Sequence, residues 1–303
     1  MFKKSIWSRK FLLLFFAILG LLISTNLTSA IIPDVRDKTY SSGDAHIHTE
    51  YSILRHSGSR DAFSSIIDQY NAAKEAGLDW ITITDHSDFV FYNRLILGYM
   101  TDEGWNYQRT KVNEIYDFPV LLGEEITIGN GENLKTEGHL LAYGISDFVP
   151  TVSSSYDTTR KDGETILNEM GSYPNLGLGY IAHPYQFGTK HIDAEPWRRW
   201  DLLREYEATI KGFEILHSNH DAPNAALNLW DRLLKQKKKF FVIGNSDSHF
   251  SWGPGPQPGE AFTYTRGFAD EPQILTALTN GYLSHPMVLM LTSLSTVKAR
   301  EKL

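Results

Sequence analysis

Residues 43–49 read GDAHIHT, a short strand-like run that carries two histidines separated by one residue. Side chains two positions apart project from the same face of a β-strand, so His46 and His48 would lie close enough to chelate one ion. An H-x-H pair alone is weak evidence for a metal site. Its meaning depends on what lies at the ends of the other strands.

Apolar, β-branched runs alternate with amphipathic stretches along the rest of the chain, which predicts a parallel α/β architecture. The predicted strands are 43–49, 80–84, 120–128, 139–145, 179–182, 212–216 and 240–245. The clearest helical patterns are 62–76, 164–170, 197–208 and 224–236, and the longest irregular stretches are 92–108, 147–162 and 250–259.

Polar motifs stand at or just beyond the C-terminal ends of these strands: DAHIHT, TDHSD, GEEIT, IAHPY, EILHSNH and NSDSH. The C-terminal ends of parallel strands share one face of a barrel, and that face carries the active site. Seven strands predict a (β/α)7-like barrel with a cluster of divalent metal ions at this face. A doubly wound open sheet stays open as the alternative, since its ligands also gather at strand C-termini.

Several of these strand-end residues are candidate ligands. His86 follows the strand WITIT, and Asp85 beside it would either bind metal or orient a ligand by hydrogen bonding. His183 ends another apolar strand, where a buried histidine without a metal is the alternative. Asp247 and His249 repeat the two-residue spacing of the H-x-H pair, although a loop turn or cap would also explain them.

Glu125 and His139 lie at similar distances on either side of a predicted turn at 129–133. A hairpin at this turn would bring the two side chains face to face. Glu124 is the competing carboxylate, because strand alternation does not say which of the two neighbouring glutamates points inward.

The composition limits the chemistry. The chain has no cysteine, so it forms no disulfide and any metal must be held by His, Asp and Glu, which favours zinc, manganese or iron over calcium. Residues 31–303 contain 25 of the 29 basic residues and all 36 acidic residues, which gives them a net charge of about −11. This negative charge disfavours nucleic acid and anionic membranes as partners. The expected partner is a small-molecule substrate.

Residues 1–30 read as a secretory signal peptide, with basic residues before an apolar run from Phe11 to Ile23 and small residues at Thr28 and Ala30. The expected organisation is therefore a signal peptide at 1–30, one metallohydrolase domain at 31–290 and a tail at 291–303. We expect a secreted or periplasmic protein. An uncleaved membrane anchor is the alternative.

The order of these motifs resembles the PHP (polymerase and histidinol phosphatase) superfamily, and the resemblance spans Gly43 to about Tyr282. The H-x-H, T-D-H, G-x-E, A-H-P and S-D-S-H elements all have counterparts. The stretch from Gly212 through GNSDSH to the strand AFTYTR looks most like the secreted metallohydrolase branch, which includes aryl carbamate and amide hydrolases.

The resemblance implies a distorted (β/α)7 PHP-type barrel with two or three metal ions. His46, His48, Glu125 and Asp247 would hold the first, and Glu125 would bridge to a second held by His139 and His183. A third would be held by His86 and His249. Relatives complete this third site with a carboxylate or histidine where this chain has Ile53. His56 is the candidate substitute, and without one the centre would be binuclear.

The expected reaction is hydrolysis by a metal-bridging hydroxide. Catalytic candidates are Glu125, which would fix the metal spacing, Asp247, which would hold the nucleophilic water, and His217, which would donate a proton to the leaving group. Phosphoester hydrolysis is favoured over ester, amide or carbamate hydrolysis. A secreted metal-binding protein without catalysis is the alternative from another class.

Overall fold

The computed structural model describes residues 40–54, 59–60, 62–86, 90–92, 95–98, 102–129, 131, 138–152, 159–172, 177–184, 206, 208–217, 223–253 and 255–284. Their helices and strands all belong to the unit Lys38–Leu303. Strands and helices alternate through most of it, so the α/β class predicted from the sequence is confirmed.

Five strands form the first sheet: β1 (Tyr40–Ile47), β4 (Trp80–Ile83), β7 (Val120–Leu122), β13 (Thr263–Arg266) and β14 (Leu283–Ser284). Their order across the sheet is β14-β13-β1-β4-β7. Strand β1 pairs in parallel with β4 and antiparallel with β13, and β4 pairs in parallel with β7.

The second sheet has the order β12-β11-β10-β9-β8. Its strands are β8 (Glu124–Ile128), β9 (Gly138–Tyr143), β10 (Leu178–Ile181), β11 (Ile210–His217) and β12 (Phe241–Asn245). The first three are antiparallel, whereas β10, β11 and β12 run in parallel. Two short hairpins stand apart from these sheets: β2 (Ile53–Leu54) with β3 (Ser59–Arg60), and β5 (Val90–Tyr92) with β6 (Leu95–Gly98).

Single bridges between two residues join the two sheets. Ile47 bridges to Ser248, and His86 bridges to Glu125. The expectation of one closed barrel is therefore corrected within the described residues, because two sheets meet through isolated bridges rather than through continuous ladders. The predicted strand 120–128 is likewise broken at Gly123, where an added Cβ would lie 2.5 Å from the carbonyl oxygen of Ala142.

Five helices flank the sheets in the described part of the chain: α1 (Ile66–Glu75), α2 (Asp102–Asn113), α3 (Gly163–Ser172), α4 (Pro223–Lys235) and α5 (Glu271–Asn280). A capping box between Ser65 and Asp68 starts α1. The helices predicted at 62–76, 164–170 and 224–236 are confirmed, with shorter or longer ends. The one predicted at 197–208 lies almost entirely outside the described residues.

Helix α2 contradicts the prediction of an irregular stretch at 92–108. It buries Trp105, Gln108 and Val112 at helical spacing. Because Gln108 stands where an apolar residue would complete the periodic pattern, the sequence did not predict a helix here. None of the described helices is both long and apolar enough to cross a membrane.

The core fills the space between sheets and helices with large side chains. Trp80, Tyr143 and Tyr180 belong to one buried cluster, and the Tyr143 hydroxyl donates a hydrogen bond to the Ala45 carbonyl at 2.9 Å. Burial of each such side chain contributes about 1.5–3 kcal/mol. This packing holds in place the strand β1, which contains His46 and ends just before His48.

We expect Gly212→Ala to destabilise the protein by about 1–3 kcal/mol or more, because the new Cβ would lie 2.0 Å from the Phe241 carbonyl oxygen on the neighbouring strand. Gly171→Ala in α3 is the matched control, since its Cβ would have only the Thr209 hydroxyl within 4 Å, at 3.9 Å. Urea unfolding measures both variants. Equal stabilities would contradict the close approach of β11 and β12.

Candidate metal centre

The Glu125 carboxylate lies at the centre of the buried histidine cluster. Its Oε2 is 3.0 Å from Nε2 of both His46 and His48, and these two nitrogens are 3.1 Å apart. Asp247 Oδ1 completes the group at 3.2 Å from His46 Nε2 and 3.1 Å from His48 Nε2. We call these four residues the first ligand group, and they could hold a metal ion.

The other Glu125 oxygen faces a second set of imidazoles. Its Oε1 is 2.8 Å from His139 Nδ1 and 2.8 Å from His183 Nε2. His86 Nε2 lies 3.1 Å from Glu125 Oε2, and His86, Glu125 and His139 could also hold an ion. We call Glu125, His139, His183 and His86 the second ligand group. One carboxylate is thus shared by both.

The β8–β9 hairpin settles which glutamate points inward. Glu125 faces the histidines, whereas Glu124 Oε2 accepts a hydrogen bond from the Val149 amide at 2.6 Å. The expected face-to-face pairing of Glu125 with His139 is corrected: His139 pairs with Thr127, and Glu125 with Leu141. Because the connection is longer than the predicted turn, His139 reaches Glu125 diagonally, which a same-face neighbour two residues along can do.

The donor set fits a divalent cation. His46 Nδ1 donates to Glu214 Oε1 at 2.9 Å, and His86 Nδ1 donates to the Glu125 carbonyl at 2.9 Å. The neutral form of each ring then carries its lone pair on Nε2, directed at Glu125. Nitrogen and oxygen lone pairs therefore converge in a space without water access, and only a cation or protons can offset their repulsion.

The charges of the cluster favour protonated imidazoles when no metal is bound. Burial lowers the pKa of His48, but hydrogen bonds to Asp247 and Glu125 outweigh it and raise that pKa to about 10. Burial likewise opposes the charged form of Glu125, yet the attraction of His86, His46 and His139 holds its pKa well below the usual range. A metal ion would take the place of these protons.

Asp85 lies beside the centre and bonds to the backbone and side chain of one residue. Its two oxygens accept hydrogen bonds from the Thr49 amide and the Thr49 hydroxyl, both at 2.5 Å. It is absent from both ligand groups found in the described residues. Asp85 therefore bonds to Thr49, the residue next to His48, and whether it orients a ligand stays a prediction.

The remaining predicted residues are less closely joined to the centre. His249 packs against His48 with ring centroids 4.4 Å apart and ring planes tilted by 31°, and its Nδ1 is 3.7 Å from Asp247 Oδ1. His217 ends β11, paired in register with Asn245, and its side chain lies outside the described part. His56 lies outside the described residues altogether, as does the side chain of Ile53.

The sequence analysis missed Glu214, which is fully buried in the middle of β11. An acid inside the apolar run IKGFEILH was the available signal, because a buried charge needs partners. Two candidate ligands also have left-handed backbone, His183 at φ 21° and Asp247 at φ 54°. Non-glycine residues in this region cost free energy and cluster at functional sites.

Comparison with known proteins gives structural similarity only. No family model matches the chain, and no curated protein matches it. Among solved structures, a proposed metal-dependent phosphoesterase from Bifidobacterium adolescentis is 18% identical, with 78% of this chain and 95% of that chain covered and a TM-score of 0.48.

Two other solved structures have similar values. An amidohydrolase from Chromobacterium violaceum, solved with bound sulfate and no metal, is 14% identical, with 80% of this chain and 98% of that chain covered and a TM-score of 0.44. A lesion-specific endonuclease from Pyrococcus furiosus is 15% identical, with 80% and 56% covered and a TM-score of 0.47. At these values the similarities identify neither a reaction nor a substrate for this chain.

Metal binding should release protons at neutral pH, because His48 is protonated in the metal-free protein below its pKa of about 10 and binds metal only as neutral imidazole. Affinity should therefore rise with pH. Calorimetric titration with zinc in buffers of different ionisation enthalpy measures the release. Heats that are the same in every buffer would contradict it.

Proposed function

We propose that the chain is a metal-dependent hydrolase with a binuclear centre. The observation that carries the proposal is the Glu125 carboxylate, whose Oε2 meets His46 and His48 while its Oε1 meets His139 and His183. A carboxylate shared in this way is suited to fixing two ions at a short spacing, as two-metal hydrolases require.

Divalent ions bound here would supply an activated water at neutral pH and stabilise charge on the attacked group. The chain's own residues set the conditions for that chemistry. Glu125 fixes the spacing between the two ligand groups, and the buried walls exclude bulk water. Asp247, only 5% exposed, would bind and orient the water, and His217 would donate the proton to the leaving group.

Phosphoester hydrolysis is the activity we favour. The imidazole-rich centre is compatible with zinc, manganese or iron, which bind phosphoryl oxygens. A small-molecule substrate fits the acidic composition better than a nucleic acid does.

Ester, amide or carbamate hydrolysis is the second candidate, and one observation favours it. The described residues form two ligand groups around Glu125, and His249 belongs to neither. Phosphate esters use a third ion more than carbonyl substrates do. A centre limited to two ions would therefore suit a carbonyl substrate as well as a phosphoester.

The test is hydrolysis of a phosphomonoester, a phosphodiester and an aryl ester or carbamate by the metal-reconstituted protein. We expect phosphoester turnover that falls by more than about 100-fold in His46→Ala and in Asp247→Ala, since even outer partners of a ligand cost 10–100-fold. Lys74→Ala is the control, because this surface lysine pairs with Asp117 away from the centre. Metal content is counted in parallel.

The outcomes separate the candidates. Turnover of the ester or carbamate alone would replace the phosphoesterase by the second candidate. Bound metal without turnover of any reporter would instead support the non-catalytic binding protein.

We also propose that the enzyme acts outside the cytoplasm after removal of residues 1–30. The support is the order of basic, apolar and small residues in this segment. The intact mass of protein recovered from the medium or periplasm should equal that of a chain beginning at residue 31. A mass that retains the leader would favour a membrane anchor instead.

A further inference from the structure

Glu214 contacts both ligand groups without belonging to either. Its Oε1 accepts from His46 Nδ1 at 2.9 Å, and its Oε2 accepts from the backbone amide of His183 at 2.7 Å. The side chain is fully buried on β11, which pairs with β10, and His183 lies two residues beyond the end of β10. A single carboxylate therefore touches one ligand of each group.

Asn245 fixes the orientation of this carboxylate. Its Oδ1 accepts from the Ala45 amide at 2.9 Å, so its amide nitrogen must face the other way, and Nδ2 donates to Glu214 Oε1 at 2.7 Å. Asn245 is itself fully buried. Three donors thus converge on the Glu214 carboxylate: His46 Nδ1, the His183 amide and Asn245 Nδ2.

We propose that Glu214 is a positioning residue that sets metal affinity at both ligand groups together. Accepting from Nδ1 holds His46 in the tautomer whose Nε2 lone pair faces Glu125. Accepting from the His183 amide holds the left-handed backbone that directs the His183 ring at Glu125. This inference rests on the proposed metal centre and goes beyond it by assigning a residue that binds no metal.

Amide substitution tests the assignment sharply. Glu214→Gln is nearly isosteric but has one acceptor oxygen, so its NH2 group must oppose either the His183 amide or the His46 and Asn245 donors. Glu124→Gln is the matched control, because Glu124 is equally buried and also accepts from a backbone amide, that of Val149. Both variants lose one buried carboxylate, but only one of these carboxylates touches the ligands.

The measurements are zinc affinity by competition with a chromophoric chelator, metal stoichiometry, and urea unfolding of the metal-free proteins. We expect Glu214→Gln to weaken both binding steps by about 10–100-fold. Glu124→Gln should keep wild-type affinity even where it loses stability. In the zinc-loaded protein, the downfield proton resonance of His46 Nδ1–H should move upfield only in Glu214→Gln.

Wild-type affinity in Glu214→Gln, or an equal loss in Glu124→Gln, would overturn the inference alone. Failure of the wild-type protein to bind zinc or manganese would overturn the proposed function itself. Should Glu214→Gln not fold, Asn245→Ala removes one donor to Glu214 without opposing another. It should weaken zinc binding less strongly, and unchanged affinity there would also overturn the inference.

Discussion

Lone pairs of buried carboxylates and imidazoles converge around Glu125, and their mutual repulsion must be offset for the protein to fold. Glu125 and Asp247 present carboxylate oxygens to imidazole nitrogens at 3.0–3.2 Å, inside a region that excludes water. Such an arrangement is stable only with positive charge at its centre. Protonated imidazoles supply that charge in the absence of metal, because the pKa of His48 is raised to about 10, and a bound metal ion would displace these protons.

The scaffold explains how this arrangement is held. The first sheet supplies His46 and His48, the second supplies Glu125 and His139, and bridges such as Ile47–Ser248 join the two sheets at their C-terminal ends. Hydrogen bonds also hold three of the candidate ligands from outside the cluster: Glu214 holds His46, Ser52 holds His48, and the Glu125 carbonyl holds His86. Rigid positioning of this kind is what a catalytic metal site requires.

Much of the site was predictable because strand ends carry local signals. The H-x-H spacing predicts that His46 and His48 lie on one face, whereas the choice between Glu124 and Glu125 stayed open because strand alternation does not give the absolute direction of a side chain. Glu214 was missed because its role depends on β1 and β10, which are distant in sequence. The hairpin register and the division into two sheets depend on loop length and long-range pairing, which strand patterns do not encode. Helix α2 was not predicted because its buried face includes Gln108, which interrupts the apolar periodicity of a helix.

Anomalous diffraction from crystals of the zinc- or manganese-loaded protein would locate the bound ions. We expect two peaks on either side of the Glu125 carboxylate, one among His46, His48 and Asp247 and the other beside His139. A structure without peaks, in which the carboxylate–imidazole hydrogen bonds persist at saturating metal, would rule out the metal centre.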